Sequence, residues 1–238
     1  MSILDSLPDE PEEKPSPESQ NSSSQLTRPQ LKVEAPLRMV ETAFLASTAS
    51  LIWFINSYFP LGPVLRIFFP VPIALVYLRW GRRAAWMAAI TSGLLLAVLM
   101  GPVRSVLYVM PFGLMGVLLG ATWYRRVSWL VSITLGTLLA TLGVFFRLWL
   151  LSVLSSEDLW IYVINQVADI TEWIFLKLGL LVSPSVFVIQ LVAVALIIFN
   201  NALYLFVVHL AAWLLLDRLG NPIPRPPQWV QILMDYEG

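Results

Sequence analysis

The sequence predicts an all-α fold, a polytopic transmembrane helix bundle of about six spans with both termini on the cytoplasmic side. Three observations carry this reading. Of 238 residues, 58% are apolar and 13% are charged, whereas ordinary soluble domains carry roughly 25% charged residues. The apolar residues come in blocks of about 17 to 30, and at 1.5 Å per residue each long block can cross a hydrocarbon core of about 30 Å. The basic residues fall mostly on one side of those blocks, as the cytoplasmic preference of Lys and Arg requires.

The same composition excludes several function classes. Fifteen Lys plus Arg balance fifteen Asp plus Glu, so no basic excess exists to hold a phosphate backbone, and nucleic acid is not an expected partner. With no cysteine, disulfides, thiolate nucleophiles, Cys-type zinc sites and iron–sulfur centres are excluded. His209 is the single histidine, so neither paired haem ligation nor an H-E-x-x-H metal site can be built. A G-x-x-x-x-G-K-[ST] phosphate loop and a Gly-rich dinucleotide fingerprint are also absent. The chain is therefore expected to be no enzyme, to hold no metal or cofactor, and to hydrolyse no ATP by itself.

Residues 1–37 hold Pro8, Pro11, Pro15, Pro17, Pro29 and Pro36 with Asp9, Glu10, Glu12 and Glu13. Such a segment buries too little apolar surface to offset its ordering entropy and reads as a disordered acidic cytoplasmic tail. Lacking a basic start and an apolar core, it is no signal peptide, so the first hydrophobic helix serves as an uncleaved anchor.

The bundle occupies residues 38–218, with spans at about 42–59, 64–80, 84–101, 105–124, 128–154 and 186–216. The breaks are Pro60–Pro63, Gly81–Arg83, Gly101–Pro102, Arg125–Arg126 and the stretch 155–185. Pro70 and Pro72 remove backbone donors and kink or shorten the second span. With the N-terminus inside, Arg79, Arg82, Arg83, Arg125, Arg126, Arg218 and Arg225 join the tail cations on the cytoplasmic side, leaving Arg66, Arg104, Arg147 and Lys177 outside. Trp80, Trp86, Trp123, Trp129 and Trp213 sit near the inner boundary and Trp149 and Trp160 near the outer one, at headgroup depth.

Residues 156–182 read as an amphipathic outer helix. Ser155 to Asp158 supply a cap and an acidic first turn, and Asp158, Asn165, Asp169 and Glu172 oppose Leu159, Val163, Ile164, Val167, Ile170 and Ile174. A seventh crossing is the competing reading; it would put Asp169 and Glu172 in lipid. Residues 219–238, with Pro222, Pro224, Pro226 and Pro227, read as a stiff Pro-rich cytoplasmic tail.

Small residues recur every four positions: Ala43 with Ser47 and Ala46 with Ser50 on the first span, Ala84, Ala88 and Ser92 on the third, Gly116 and Gly120 on the fourth, and Gly136 and Ala140 on the fifth. Such stripes let backbones approach closely. Most serve packing within the bundle; Ala43, Ala46, Ser47 and Ser50 are the candidate partner contact.

Polar residues inside a membrane suggest function because they are costly there. Asn200 and Asn201 lie near the middle of the last span with Gln190 toward the outside, and Arg66, Arg104 and Arg147 are expected at one outer level. Arg holds carboxylate or phosphate with paired donors. These six residues are the candidate ligand set for a small anionic molecule. The competing reading is neutralisation of the arginines by Glu157, Asp158, Asp169 and Glu172. His209 reads as an interfacial histidine bonded to a backbone carbonyl rather than a proton relay.

From Ala43 to about Gly120 the chain resembles the substrate-binding S components of energy-coupling-factor (ECF) importers. The resemblance rests on the small-residue first helix, on Phe59-Pro60-Leu61-Gly62-Pro63-Val64-Leu65-Arg66-Ile67, on the proline-bearing short helix after it, and on the Ala-rich stretch Gly81 to Leu96. The region 38–218 also looks like the YybS-like uncharacterised membrane proteins, themselves similar to S components, and the acidic Pro/Ser-rich tail resembles their cyanobacterial members. The resemblance implies that the first-helix small residues meet a transmembrane coupling subunit served by ATPases, with the ligand near the outer face under the first loop. The long tail and the amphipathic outer helix depart from the importers.

The expected function is an S-component-like binding and transport subunit for a small anionic solute, in the plasma (inner) or thylakoid membrane. The alternative is a structural or assembly factor that scaffolds other membrane proteins.

Overall fold

The computed structural model describes residues 28–59, 63–177, 179, 185–220 and 223–224. Among these, every regular element is helical: α1 Arg28–Tyr58, α2 Pro63–Ile67, α3 Val71–Met100, α4 Pro102–Tyr108, a π-helical turn Val109–Gly113, α5 Leu114–Tyr124, α6 Trp129–Ser155, α7 Leu159–Lys177 and α8 Val186–Arg218. The chain forms two compact units, Met1–Val40 and Glu41–Gly238. The first contributes the start of α1; everything below concerns the second.

Two terminal expectations change. Residues 28–37, assigned by composition to the tail, are helical, with Pro36 inside α1; residues 1–27 lie outside the described residues. Of the C-terminal segment, Ile223 is buried in the core and the Pro224 carbonyl accepts a hydrogen bond from Trp129 Nε1 at 2.8 Å. The start of that segment is therefore anchored on the bundle. Its remaining prolines lie outside the described residues.

Five stretches are long and apolar enough to cross a membrane: Ala35–Tyr58, Leu65–Met100, Pro102–Tyr124, Trp129–Ser155 and Val186–Arg218. The second would measure about 54 Å if straight, nearly twice a hydrocarbon core. It is not straight. Gly81 takes φ 79°, ψ −175°, a conformation open to a residue without Cβ, and the pairings on either side of it show that the chain reverses there.

Before Gly81, a Cβ on Gly116 would meet Ile73 and one on Gly120 would meet Tyr77, so this leg runs parallel to α5. After it, Gly113 faces Ala89 and Gly93 faces Val109, so this leg runs antiparallel to the same stretch. Likewise Glu41 pairs with Arg79 and Trp53 meets Phe69, whereas Ser50 donates to the Ser92 carbonyl at 3.1 Å. The five spans thus give six legs, as the hydrophobic blocks predict.

The leg Val71–Trp80 rises only about 15 Å. Pro70 and Pro72 limit it: Pro70 sits at its N-cap and Pro72 in its first turn, where a missing donor costs nothing. Its outer end, with α2 beside it, consequently lies within the depth of the bundle. Non-helical backbone at that depth is tolerated only where protein covers it or a cavity borders it.

Helix contacts are close because small residues allow them. Ala84, Ala85, Ala88, Ala89 and Ser92 are buried together with Ala46, Ala49 and Ser50. Without a hydrophobic drive between helices in lipid, this van der Waals fit supplies the association. α6 and α8 run antiparallel, with Ser132 beside His209, Gly136 against Leu205 and Thr141 beside Asn201.

α7 begins as expected: Asp158 Oδ1 accepts from the backbone of Trp160 at 2.9 Å and of Ile161 at 3.2 Å. Its middle residue Val167 packs on Ile189 and Ala193, in the first two turns of α8. Asp169 and Glu172 are exposed. Residues 178 and 180–184, the end of the expected 156–182 helix, lie outside the described residues.

Candidate functional site

A cavity of about 130 Å³ opens where the short leg ends. Trp53 of α1, Arg66 of α2, Pro111 and Phe112 of the π turn, Met115 of α5, Gly143 and Arg147 of α6, and Asn201 and Tyr204 of α8 line it. The π turn is a local consequence of Pro111, which cannot donate to the preceding turn; such turns recur at functional sites. It presses against Gly143 so tightly that a Cβ there would lie 2.8 Å from Pro111 Cβ.

Arg66 differs from its expected position. The sequence places it level with Arg104 and Arg147 at the outer surface, but the shortened leg draws it inward. Its Cζ lies 5.7 Å from the Tyr204 ring centre and 5.8 Å from that of Phe112, and Tyr204 lies just past the middle of α8. The Tyr204 hydroxyl donates to the Arg66 carbonyl at 3.0 Å, tying α2 to α8. These aromatic faces offer a guanidinium about 0.5–2 kcal/mol of attraction each, which is not charge neutralisation.

Among the described residues, Arg66, Arg104 and Arg147 form no ion pair with Glu157, Asp158, Asp169 or Glu172. The ion pair of Arg79 with Glu41 is formed elsewhere, and the same carboxylate accepts from Trp80 Nε1 at 2.9 Å.

Three of the six candidate ligand residues, Arg66, Arg147 and Asn201, share the cavity. Asn201 is buried and donates from Nδ2 to Thr141 Oγ1 at 3.1 Å. Asn200 is exposed and lines a neighbouring cavity with Arg66, Asn201 and Tyr204. Arg104 and Gln190 are exposed and line neither cavity. Of the partner stripe, Ala46 and Ser50 are fully buried inside the bundle, so only Ala43 and Ser47 point outward.

Sequence reasoning missed the aromatic wall. Trp53 meets Phe69, Tyr108 and Phe112 with ring centres 5.0–5.5 Å apart, and its indole Nε1 is buried without a hydrogen-bond partner. The legible signal was Tyr204, three residues after Asn201 and so on the same helix face.

A second polar cluster lies toward the inner end. His209 is fully buried; its Nδ1 is 2.8 Å from the Leu205 carbonyl and its Nε2 2.8 Å from Ser132 Oγ, which is 2.8 Å from Thr122 Oγ1. Trp123 and Trp129 flank the imidazole, each with ring centres 5.5 Å away. Because a carbonyl only accepts, Nδ1 carries the proton and Nε2 accepts from Ser132. The backbone-carbonyl bond expected of His209 is present, and the residue joins α5, α6 and α8. No group of three or more His, Asp or Glu suited to a metal ion occurs among the described residues.

Residues 47–235 match the family described as predicted membrane protein (DUF2232). Neither a curated protein nor a solved structure matches the chain.

Proposed function

The chain belongs to the DUF2232 family of predicted membrane proteins, and from that premise we propose that it binds a small anionic solute within the membrane, without catalysing a reaction. It is an integral multi-pass membrane protein. In this reading it is the S-component-like binding subunit of a transport system whose energy comes from separate coupling and ATPase subunits.

Arg66 carries the proposal. Ionisable residues inside a membrane are costly and mark solute paths or sites. Arg66, exposed in the folded chain, stands at half depth beside a cavity, with aromatic faces and, among the described residues, no carboxylate. An anion entering that cavity supplies the missing partner, and Arg147 adds a second guanidinium at the same wall. Trp53 and Phe112 supply the apolar surface.

The test is thermal unfolding of the purified protein, its Arg66→Gln variant and its Arg147→Gln variant against a panel of carboxylates and phosphates. A charge-assisted hydrogen bond contributes roughly 1.5–3 kcal/mol, a factor of about ten to a hundred and fifty in affinity. Wild type should be stabilised by some panel members and both variants by none at the same concentration. Equal responses in all three proteins would overturn the reading.

The scaffolding alternative draws on the exposed Ala43 and Ser47. Under it, Ser47→Leu strips copurifying membrane proteins while ligand response is absent in every variant.

A further inference from the structure

A second cavity shares three lining residues with the one at Arg66. It measures about 210 Å³ and is lined by Arg66, Asn201 and Tyr204, shared with the first, and by Asn200, Leu203 and Val207. Leu203 is 54% exposed and Phe199 68% exposed, and Asn200 is exposed between them. In a spanning helix this is the side that meets lipid, so the second cavity opens sideways at a depth where water-soluble anions are scarce.

A solute taken only from the aqueous side has no use for a sideways opening bordered by a polar side chain. Asn200 at this place is costly against hydrocarbon, but it can hydrogen-bond a passing polar head. Apolar residues of both cavities, Leu203 and Val207 in one and Phe112 and Met115 in the other, suit a chain, and Arg66, shared by the two, suits a carboxylate or phosphate. We propose that the ligand is a single-chain amphiphilic anion that enters from the bilayer between α2 and α8, with its head on Arg66 and its chain along these apolar residues. The proposal rests on the anion-binding reading above and names its ligand class and route.

The test uses the full chain in lipid nanodiscs with a brominated long-chain carboxylate and its uncharged methyl ester, compared at equal mole fraction in the lipid. The readout is quenching of Trp53, isolated as the difference between wild type and Trp53→Phe. Saturable quenching by the carboxylate and not by the ester is expected, weakened about tenfold or more by Arg66→Gln. Leu203→Phe, at an exposed position, should narrow the opening and reduce quenching by the carboxylate.

Equal quenching by acid and ester would overturn the proposal. Stabilisation by a carboxylate or phosphate of the thermal-unfolding panel without Trp53 quenching by the brominated acid would overturn the route and ligand class while sparing anion binding. If neither the panel nor the brominated acid binds, both readings fall. Loss of a copurifying protein in Leu203→Phe with unchanged quenching would assign the opening to a partner helix and also overturn the proposal.

Discussion

His209 Nε2 accepts a hydrogen bond from Ser132 Oγ across 2.8 Å, 77 residues apart in the chain. Both side chains are buried. Ser132→Ala leaves the imidazole nitrogen without a donor in a site closed by Trp123 and Trp129, and an orphaned buried acceptor costs about 1–3 kcal/mol. Denaturant unfolding in micelles should show that loss, and Ser132→Thr, which retains the hydroxyl, should recover part of it.

Gly120 is set against Tyr77 so closely that a Cβ would lie 2.3 Å from Tyr77 Cβ and 3.1 Å from the Ala74 carbonyl. Neither backbone nor a Cβ can swing aside. Gly120→Ala should therefore destabilise the protein by about 1–3 kcal/mol through overpacking, despite alanine's better helix propensity. A thermal shift of similar or greater stability would show that α5 and the short leg do not meet as described.

Arg66 and Glu41 should respond differently to neutralisation. Glu41 accepts from both Arg79 and Trp80, so Glu41→Gln weakens a satisfied pair and lowers the melting temperature. Arg66 is exposed and lacks a carboxylate among the described residues, so Arg66→Gln should change ligand-free stability little. A fall in the ligand-free melting temperature of Arg66→Gln comparable to that of Glu41→Gln would show that Arg66 is structural.

The basic-residue asymmetry predicts that the tails lie inside, and α6 offers a direct check because Ser128 and Ser156, at its two ends, are exposed. In this cysteine-free chain, Ser128→Cys should react with an impermeant maleimide from the cytoplasmic side and Ser156→Cys from the other. Labelling of both from one side would contradict a spanning α6.

What the sequence determined by itself is the environment, the helical class and the number of legs. Apolar runs of spanning length admit few alternatives, since in lipid the backbone must satisfy its own hydrogen bonds. Glycine and small-residue stripes likewise announced the close contacts of Gly116 and Gly120. Depth and partnership were decided only in three dimensions. Pro70 and Pro72 warned of a shortened leg, but the inward displacement of Arg66 depends on how Val71–Trp80 packs against α5 and α1, a relation between segments distant in the chain. The same holds for Ala46 and Ser50, which lie only about 60° around the helix from the exposed Ala43 and Ser47 but are buried because α3 covers them. Spacing along one helix gives the faces; which face is covered depends on the neighbour, and so the sequence named Arg66, Arg147 and Asn201 without showing that they line one cavity.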